Sequence, residues 1–129
     1  MLGTHCSTRD ILVAAADLLE RPGSWTQFAF ARDAAGNEVY PKDPKASSFD
    51  VIGAIKRVAP SFTVAEEVIE MIPYIDGKPL SRWNDDTTRT QSEVAGKIRE
   101  IASRNKCLTE LLMRIAVRHT GSATAYAPR

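Results

Sequence analysis

The residues of this chain best suited to chemistry combine indole rings with amide, carboxylate and guanidinium groups. They are Trp25, Gln27, Asp33, Asp50, Trp83, Asn84, Asp85 and Arg89. Polar groups of these kinds beside an indole can bind a small polar ligand or a peptide segment, and a guanidinium can fork onto a carboxylate or a phosphate. These residues are therefore candidates for a ligand-binding site. In a catalytic version of it, Asp50 or Asp85 would be the acid or base, since no histidine is at hand.

The same residues also have a structural interpretation, which the sequence favours over ligand binding and over catalysis. The two indoles would anchor loops to the helices, Gln27 would bind loop backbone, and Arg89 would pair with a neighbouring acid. The Asn-Asp-Asp segment at residues 84–86 precedes a predicted helix and is typical of turns and caps. A catalytic site requires Gln27, Asp85 and Arg89 to converge on an open pocket, whereas a structural joint requires them to be buried against backbone groups.

The thiols and imidazoles of the chain lack the spacing of a metal site. They are His5, Cys6, Cys107 and His119. A zinc knuckle spaces its ligands closely, but here the first two are adjacent and the last two lie about a dozen residues apart. Both histidines lie near the ends of the chain, which argues against a Ser-His-Asp or Cys-His triad, and the chain has no glycine-rich phosphate loop. We predict no metal site and no cofactor.

The composition is that of one globular domain. The chain has 129 residues, of which 43% are hydrophobic, and its 17 basic and 16 acidic side chains leave a formal charge of +1. This balance lacks the basic excess typical of nucleic-acid binders. No apolar run approaches the roughly 20 residues that cross a bilayer, and the first residues do not have the pattern of a signal peptide. We expect a cytoplasmic protein with a single helical domain over residues 1–120 and a flexible tail over 121–129.

The elements that must position the polar residues are mostly helices. A Ser or Thr followed three residues later by an acid is the pattern of a helix-starting capping box, and it occurs at Ser7–Asp10, Ser47–Asp50, Thr63–Glu66 and Thr90–Glu93. We predict helices over about residues 8–21, 48–58, 64–72, from 91 onward, and over 108–119, from apolar residues spaced three and four apart. The predicted buried faces carry Ile11, Leu12, Ala15, Leu18 and Leu19, then Val64, Val68, Ile69 and Ile72, then Val94, Ile98 and Ile101.

One stretch breaks the helical spacing. Phe28 and Phe30 alternate with other residues between positions 26 and 32, a turn-forming segment containing Gly36 follows, and residues 38–40 are suited to a return strand. We interpret this stretch as a small hairpin and residues 76–86 as a connecting loop that includes an Asp76–Pro79 turn. The predicted fold is therefore mostly α, a compact bundle of about five helices with a small β-hairpin between helices 1 and 2.

Four short motifs, taken together in their order, resemble one known family. They are Trp-x-Gln at Trp25, Ala-x-Asp-x-x-Gly at Ala31, Gly-Ala-Ile at Gly53, and Trp-Asn-Asp-x-x-x-Arg-Thr-x-x-Glu-Val at Trp83. The chain resembles, over about residues 11–102, a family of small bacterial (largely actinobacterial) and phage domains of unknown function. Members often carry Cys in a Cys-x-x-Gly-Ala pattern where this chain has Asp50. Any thiolate chemistry of that family is therefore not available here in the same way, and Asp50 equally suits a helix cap.

The sequence leads to one functional prediction and two alternatives. Because no catalytic constellation is recognisable, we predict a non-enzymatic accessory or interaction domain that binds a protein or a small ligand. The first alternative is a small hydrolase or transferase that uses carboxylates and an arginine beside Trp25 and Trp83. The second is weak nucleic-acid binding through a basic face of the last two helices, formed by Arg99, Arg104, Lys106, Arg114 and Arg118.

The last predicted helix raises the question of oligomeric state. Its apolar stripe consists of Leu108, Leu111, Leu112 and Ile115. A stripe of this kind is normally buried. It packs either on the core of its own domain, which is the default, or against the same helix of a second copy, since two-fold dimers are the commonest oligomer.

Overall fold

The computed structural model describes residues 2–104, and the side chains of residues 8–104. Within this part of the chain there are five helices: α1 (Leu2–Glu20), α2 (Val51–Val58), α3 (Phe62–Met71), α4 (Leu80–Asn84) and α5 (Gln91–Arg104). Strands β1 (Ala31–Arg32) and β2 (Ser48–Phe49) form one antiparallel pair, and β3 (Tyr74–Ile75) and β4 (Lys78–Pro79) form another. The mostly α prediction is confirmed for the described residues.

The core lies where α1 packs against α5 and α2. Leu12 and Leu19 of α1, Ile55 of α2 and Ile98 of α5 are fully buried. Burying each such side chain contributes about 1.5–3 kcal/mol relative to exposure. Most of the predicted apolar faces are buried as expected. The exceptions are half-buried at the edge of the core: Leu18, Val64 and Ile69.

The capping patterns predict one helix start correctly and three incorrectly. At α5 the Thr90 N–H donates to Glu93 Oε1 at 2.9 Å and the Glu93 N–H donates to Thr90 Oγ1 at 3.2 Å, which is a complete capping box. The Ser7 start was wrong, because α1 already begins at Leu2. The Thr63 start was also wrong, because the Ser61 side chain caps α3 by accepting from the Val64 N–H.

The third incorrect start has a clear physical cause. The Ser47 N–H donates to the Arg32 carbonyl at 2.8 Å in the pairing of β1 with β2, so Ser47 lies in extended chain before the helix. The cap of α2 is Asp50, whose Oδ1 accepts from the Gly53 N–H at 2.6 Å. Sheet pairing decides which of two capping residues the helix uses.

The predicted hairpin between α1 and α2 is not confirmed in its predicted form. The strand covers only residues 31–32, and its partner is β2, with Ala31 opposite Phe49 and Arg32 opposite Ser48. The predicted return segment makes a single bridge, Arg32 with Glu38. Phe28 has φ 63°, which interrupts extended chain, so the aromatic alternation before β1 is not that of a strand with one buried face.

Residues 76–86 were predicted to be a connecting loop, and this prediction is wrong. They contain the turn and the second strand of another hairpin, followed by α4. The Asp76–Gly77 turn has positive φ at both residues, 51° and 80°, as the tightest hairpin turns require. Leu80 and Trp83 of α4 are both buried, 3% and 2% exposed. Periodicity cannot reveal a helix of five residues, because it completes little more than one turn.

Several predictions concern parts of the chain outside the described residues. These are the helix over 108–119 with its apolar stripe, the tail over 121–129, and the side chains of His5, Cys6, Lys106, Cys107, Arg114, Arg118 and His119. Among the described residues, no helix is long and apolar enough to cross a membrane.

Candidate functional site

Asn84, at the end of α4, connects three segments of the chain through its side-chain amide. Its Oδ1 accepts from the Trp25 Nε1–H at 2.9 Å and from the Val51 N–H at 3.2 Å. Its Nδ2 donates to the Thr26 carbonyl at 3.1 Å and to Asp85 Oδ1 at 2.9 Å. These bonds use both donors and both lone pairs of a fully buried amide. The residue therefore fixes the loop at 25–26 and the start of α2 against α4.

Gln27 and Arg89 hold the end of α4 from either side. The Gln27 Nε2 donates to the Asn84 and Asp86 carbonyls at 3.0 and 2.8 Å. The Arg89 Nε donates to the Trp83 carbonyl at 2.9 Å, and its guanidinium carbon lies 4.1 Å from the Trp83 ring centroid. Both side chains thus satisfy carbonyls that a helix end leaves without intrahelical partners. Neither side chain lines the cleft that Asp50 and Asp85 share, although the catalytic arrangement requires all of these groups to converge on one pocket.

Trp83 itself is 2% exposed, and its Nε1–H has no hydrogen-bond partner among the described residues. Asp86 completes this region by accepting from the Thr88 N–H and hydroxyl, and these bonds lower its pKa to about 2. The Arg89 guanidinium also lies 3.8 Å from Asp86. The residues that follow α4 therefore form a hydrogen-bonded connection to α5.

Asp33 is not part of this group of contacts. Its Oδ1 accepts from the Ala35 and Asn37 N–H groups at 3.0 and 2.9 Å, and these bonds close the turn before Glu38. The backbone hydrogen bond from Asn37 is the main cause of its lowered pKa. The Ala-x-Asp-x-x-Gly motif therefore encodes a turn, with Gly36 at φ 89°.

Asp50 is the most perturbed carboxyl group of the site. It is 2% exposed, and burial raises its pKa to about 7, with the charge of Asp85 acting in the same direction. The hydrogen bond from the Gly53 N–H and the charge of Lys56 act the other way. A carboxyl group that titrates near neutrality while capping a helix is unusual, since caps normally favour the ionised form.

Asp85 connects Asn84 to the loop that carries Phe28 and Phe30. Its Oδ1 accepts from the Phe28 N–H at 2.9 Å as well as from Asn84. Together with Asp50 it lines a cleft of about 430 Å³, which we call the acidic cleft. The cleft is lined by Phe28, Ala29, Phe30, Glu38, Asp50, Ser81 and Asp85. Of the predicted site residues, these two aspartates are the ones that line it.

Beside the acidic cleft lies a second depression that the sequence analysis did not identify. This aromatic groove has a volume of about 410 Å³ and is lined by Phe30, Tyr40, Pro41, Lys42, Lys56, Phe62 and Ala65. Phe30 lines both, and also a third depression that runs along residues 38–41. The ammonium of Lys56 lies 4.6 Å from the Phe30 ring centroid and 5.7 Å from that of Phe62.

The rings of this surface are open to solvent. Phe28 is 62% exposed, Phe30 45%, Tyr40 82% and Phe62 71%. Sequence reasoning assigned Phe28, Phe30 and Tyr40 to the two strands of the predicted hairpin and gave Phe62 no role. The available signal was their position: Tyr40 precedes a proline and Phe62 follows one by two residues, outside any apolar periodicity.

Within the described residues, no group of three or more His, Cys, Asp or Glu side chains is arranged to hold a metal ion. A family model described as a family of unknown function, DUF6197, matches residues 4–104. No curated protein and no solved structure matches the chain.

Proposed function

The chain belongs to DUF6197, a family of unknown function, and on the basis of its surface we propose that it is a non-enzymatic interaction domain. It binds a segment of another protein across the acidic cleft and the aromatic groove. The observation that carries this proposal is the cluster of four exposed aromatic rings around Phe30.

A cluster of exposed aromatic rings favours a binding role, because the contact of apolar surface with water is unfavourable in free energy. Aromatic side chains are enriched at the centres of protein interfaces, where a few of them contribute most of the binding free energy. Burying one such ring contributes about 1.5–3 kcal/mol. Single exposed apolar residues need no explanation, whereas adjacent ones mark interaction sites.

The backbone beneath the rings is held in place, which also favours binding. The Phe28 N–H is held by Asp85, and the Phe30 carbonyl accepts from the Asp50 N–H at 3.1 Å. The next residue, Ala31, is buried in β1. A preorganised surface loses less conformational entropy on binding than a mobile one. In this proposal the polar joint around Asn84 positions the rings and does not itself contact the partner.

One observation favours an enzyme as a second candidate. The pKa of Asp50 is raised to about 7 in a cleft that Asp85 also lines, and a carboxyl group with a perturbed pKa in a cleft is a candidate acid or base. Against this, the predicted catalytic site required Gln27 and Arg89 to join Asp85 in the cleft. Both side chains instead donate to backbone carbonyls. A hydrolase substrate panel tests it: an activity abolished by Asp85→Asn with folding retained would favour catalysis over simple binding.

The contacts of the basic residues give less support to nucleic-acid binding. Arg99 pairs with Asp17 and Glu20, and Arg104 pairs with Glu100. These carboxylates compensate the positive charge on the described part of the face, so a phosphate backbone would have to displace them.

Selection from a displayed random-peptide library tests the interaction domain directly. We expect peptides to be enriched on the wild-type protein and lost on a Phe30→Ala/Phe62→Ala variant. Tyr74→Ala is the matched control, because Tyr74 is 64% exposed but lines neither the acidic cleft nor the aromatic groove. Equal enrichment on the double variant, or no enrichment on any of the three proteins, would overturn the proposal.

A further inference from the structure

The acidic cleft specifies the chemistry of the bound segment. Resting on the proposed function, we infer that the cleft takes a lysine or arginine side chain of the partner peptide, while a neighbouring apolar residue of the same peptide enters the aromatic groove.

The charge of the acidic cleft favours a cation. The lining of the cleft carries three carboxyl groups, those of Glu38, Asp50 and Asp85, and no basic side chain. Glu38 is exposed and has no ion pair among the described residues. A concave surface lined by one sign of charge concentrates the opposite sign. A cation is therefore the complementary group, and an anion is disfavoured.

The two aromatic rings that line the cleft also favour a cation. Phe28 and Phe30 both line it and both are open to solvent. The face of an aromatic ring attracts a cation within about 6 Å of its centroid. The protein already uses one of these rings in this way, since the Lys56 ammonium lies 4.6 Å from the Phe30 centroid. Carboxylates and aromatic faces around one cavity form the usual environment for an ammonium or guanidinium group.

The acidic cleft and the aromatic groove are adjacent, because Phe30 lines both. The groove side is apolar at Tyr40, Pro41 and Phe62, and its two charged residues are lysines, Lys42 and Lys56. Both lysines are engaged: Lys42 donates to the Arg57 and Ala59 carbonyls, and Lys56 lies between two rings. The two halves of the surface thus differ in chemistry, one acidic and one apolar. A peptide with a basic residue near an apolar one matches both.

This arrangement also predicts how binding depends on pH. The groups that face the Asp50 carboxyl are the Gly53 and Ile52 N–H groups, the Asp85 carboxylate and the Lys56 ammonium. A bound cation favours the ionised carboxyl, so it releases a proton from Asp50. Affinity therefore rises as the pH increases through about 7, where that carboxyl titrates.

The experiment uses two displayed peptide libraries on the full chain. They are identical except for one fixed central position, which is Lys or Arg in the first library and Gln or Glu in the second. We expect enrichment from the first library only. The dissociation constant of an enriched peptide, measured by fluorescence anisotropy, should be lower at pH 8 than at pH 6.

Two variants assign the effect to the cleft. Glu38→Gln removes an exposed charge and should weaken the peptide about two- to fivefold, as for an exposed ion pair. Asp10→Asn is the control, since Asp10 is an exposed acid of α1 that does not line the cleft. It should leave the dissociation constant unchanged.

The possible failures are distinguishable. If peptides from both libraries are enriched equally and are lost on Phe30→Ala/Phe62→Ala, the interaction domain stands and the cation site is wrong. If neither library is enriched, the proposed function fails and the cation site fails with it. If Glu38→Gln and Asp10→Asn weaken peptide binding equally, the loss of affinity comes from long-range charge. That result would overturn the assignment of the cation to the cleft.

Discussion

Asn84 connects the loop at 25–26, the start of α2 and the end of α4 through one buried side chain. Replacing it with alanine leaves the Trp25 indole N–H, the Val51 N–H and the Thr26 carbonyl without their partner. Each unsatisfied buried group costs about 1–3 kcal/mol, but relaxation and water recover part of this loss.

We therefore expect Asn84→Ala to lower the free energy of unfolding by about 2–4 kcal/mol, measured by urea denaturation. Asn37→Ala is the control, because Asn37 is exposed and its side chain bonds only within the Asp33 turn. That variant should change the free energy of unfolding by less than about 1 kcal/mol. Similar losses of unfolding free energy in the two variants would show that Asn84 does not hold the three segments together.

Asp50 links stability to pH near neutrality. Its pKa is raised from 3.8 in the unfolded chain to about 7 in the folded one, mainly by burial. Between these values the folded state binds more protons than the unfolded state, so stability falls as the pH rises. The stabilising protonated form is fully present below about pH 4 and is lost as the pH passes the folded-state pKa.

The Asp50→Asn variant tests this, because an amide keeps an oxygen for the Gly53 N–H but does not titrate. From pH 5 to pH 8, the wild type should lose about 2–3 kcal/mol of unfolding free energy relative to the variant. Parallel stability curves for the two proteins over that range would contradict the raised pKa.

At the scale of elements, the first turn of α2 is limited by how closely the loop before β1 approaches it. A β-carbon at Gly53 would lie 1.8 Å from the Phe30 carbonyl oxygen. No rotation of a side chain can relieve a clash between a β-carbon and backbone. The Gly-Ala-Ile motif therefore encodes contact between a helix and a loop.

Alanine substitution at two helical glycines separates this contact from helix propensity. Gly53→Ala should destabilise the protein by more than about 2 kcal/mol, because α2 or the loop must move. Gly96→Ala, in α5, meets nothing within 4 Å and should stabilise the protein by about 0.5–1 kcal/mol. Thermal unfolding of both variants measures the difference, and a Gly53→Ala protein as stable as the wild type would contradict the close approach.

The elements also show which parts of the fold the sequence can predict. Helices of ten residues or more were predicted with most of their buried residues, because burial of an apolar stripe decides both. The start of α5 was predicted because Thr90 and Glu93 satisfy each other locally. The start of α2 was not, because the partner of Ser47 is Arg32 in β1, and no local pattern reports a pairing between distant residues.

The candidate site was predictable in part for the same reason. The sequence grouped Trp25, Gln27, Asn84 and Arg89 as polar groups at the ends of elements. In the structure Trp25 and Gln27 contact Asn84, whereas Arg89 contacts the neighbouring Trp83 and Asp86. The structural interpretation correctly assigned the Gln27 amide to loop backbone, but the sequence could not reveal that the Arg89 guanidinium donates to the Trp83 carbonyl. Nor could it reveal that Phe28 and Phe30 face solvent, since an alternating apolar pattern predicts burial of one face. Exposure depends on tertiary packing, which periodicity does not record.

At the scale of the whole molecule, the exposed rings and the packed core are expected to have separate roles. Natural domains sit only slightly above the stability they need, and functional surfaces commonly depart from what stability alone would select. Tyr40 and Phe62 are 82% and 71% exposed, whereas Leu12 lies in the fully buried face of α1. A surface kept for binding should therefore be removable without loss of the fold.

The last prediction follows from this separation. A Tyr40→Ser/Phe62→Ser variant should retain the wild-type free energy of unfolding within about 1 kcal/mol, as surface substitutions do. Leu12→Ala should lower it by about 2–5 kcal/mol through lost transfer free energy and a cavity. Urea denaturation of the three proteins makes the comparison. A loss on the double variant as large as that of Leu12→Ala would mean that the rings are covered in the folded chain, and a surface already covered is not open to a partner.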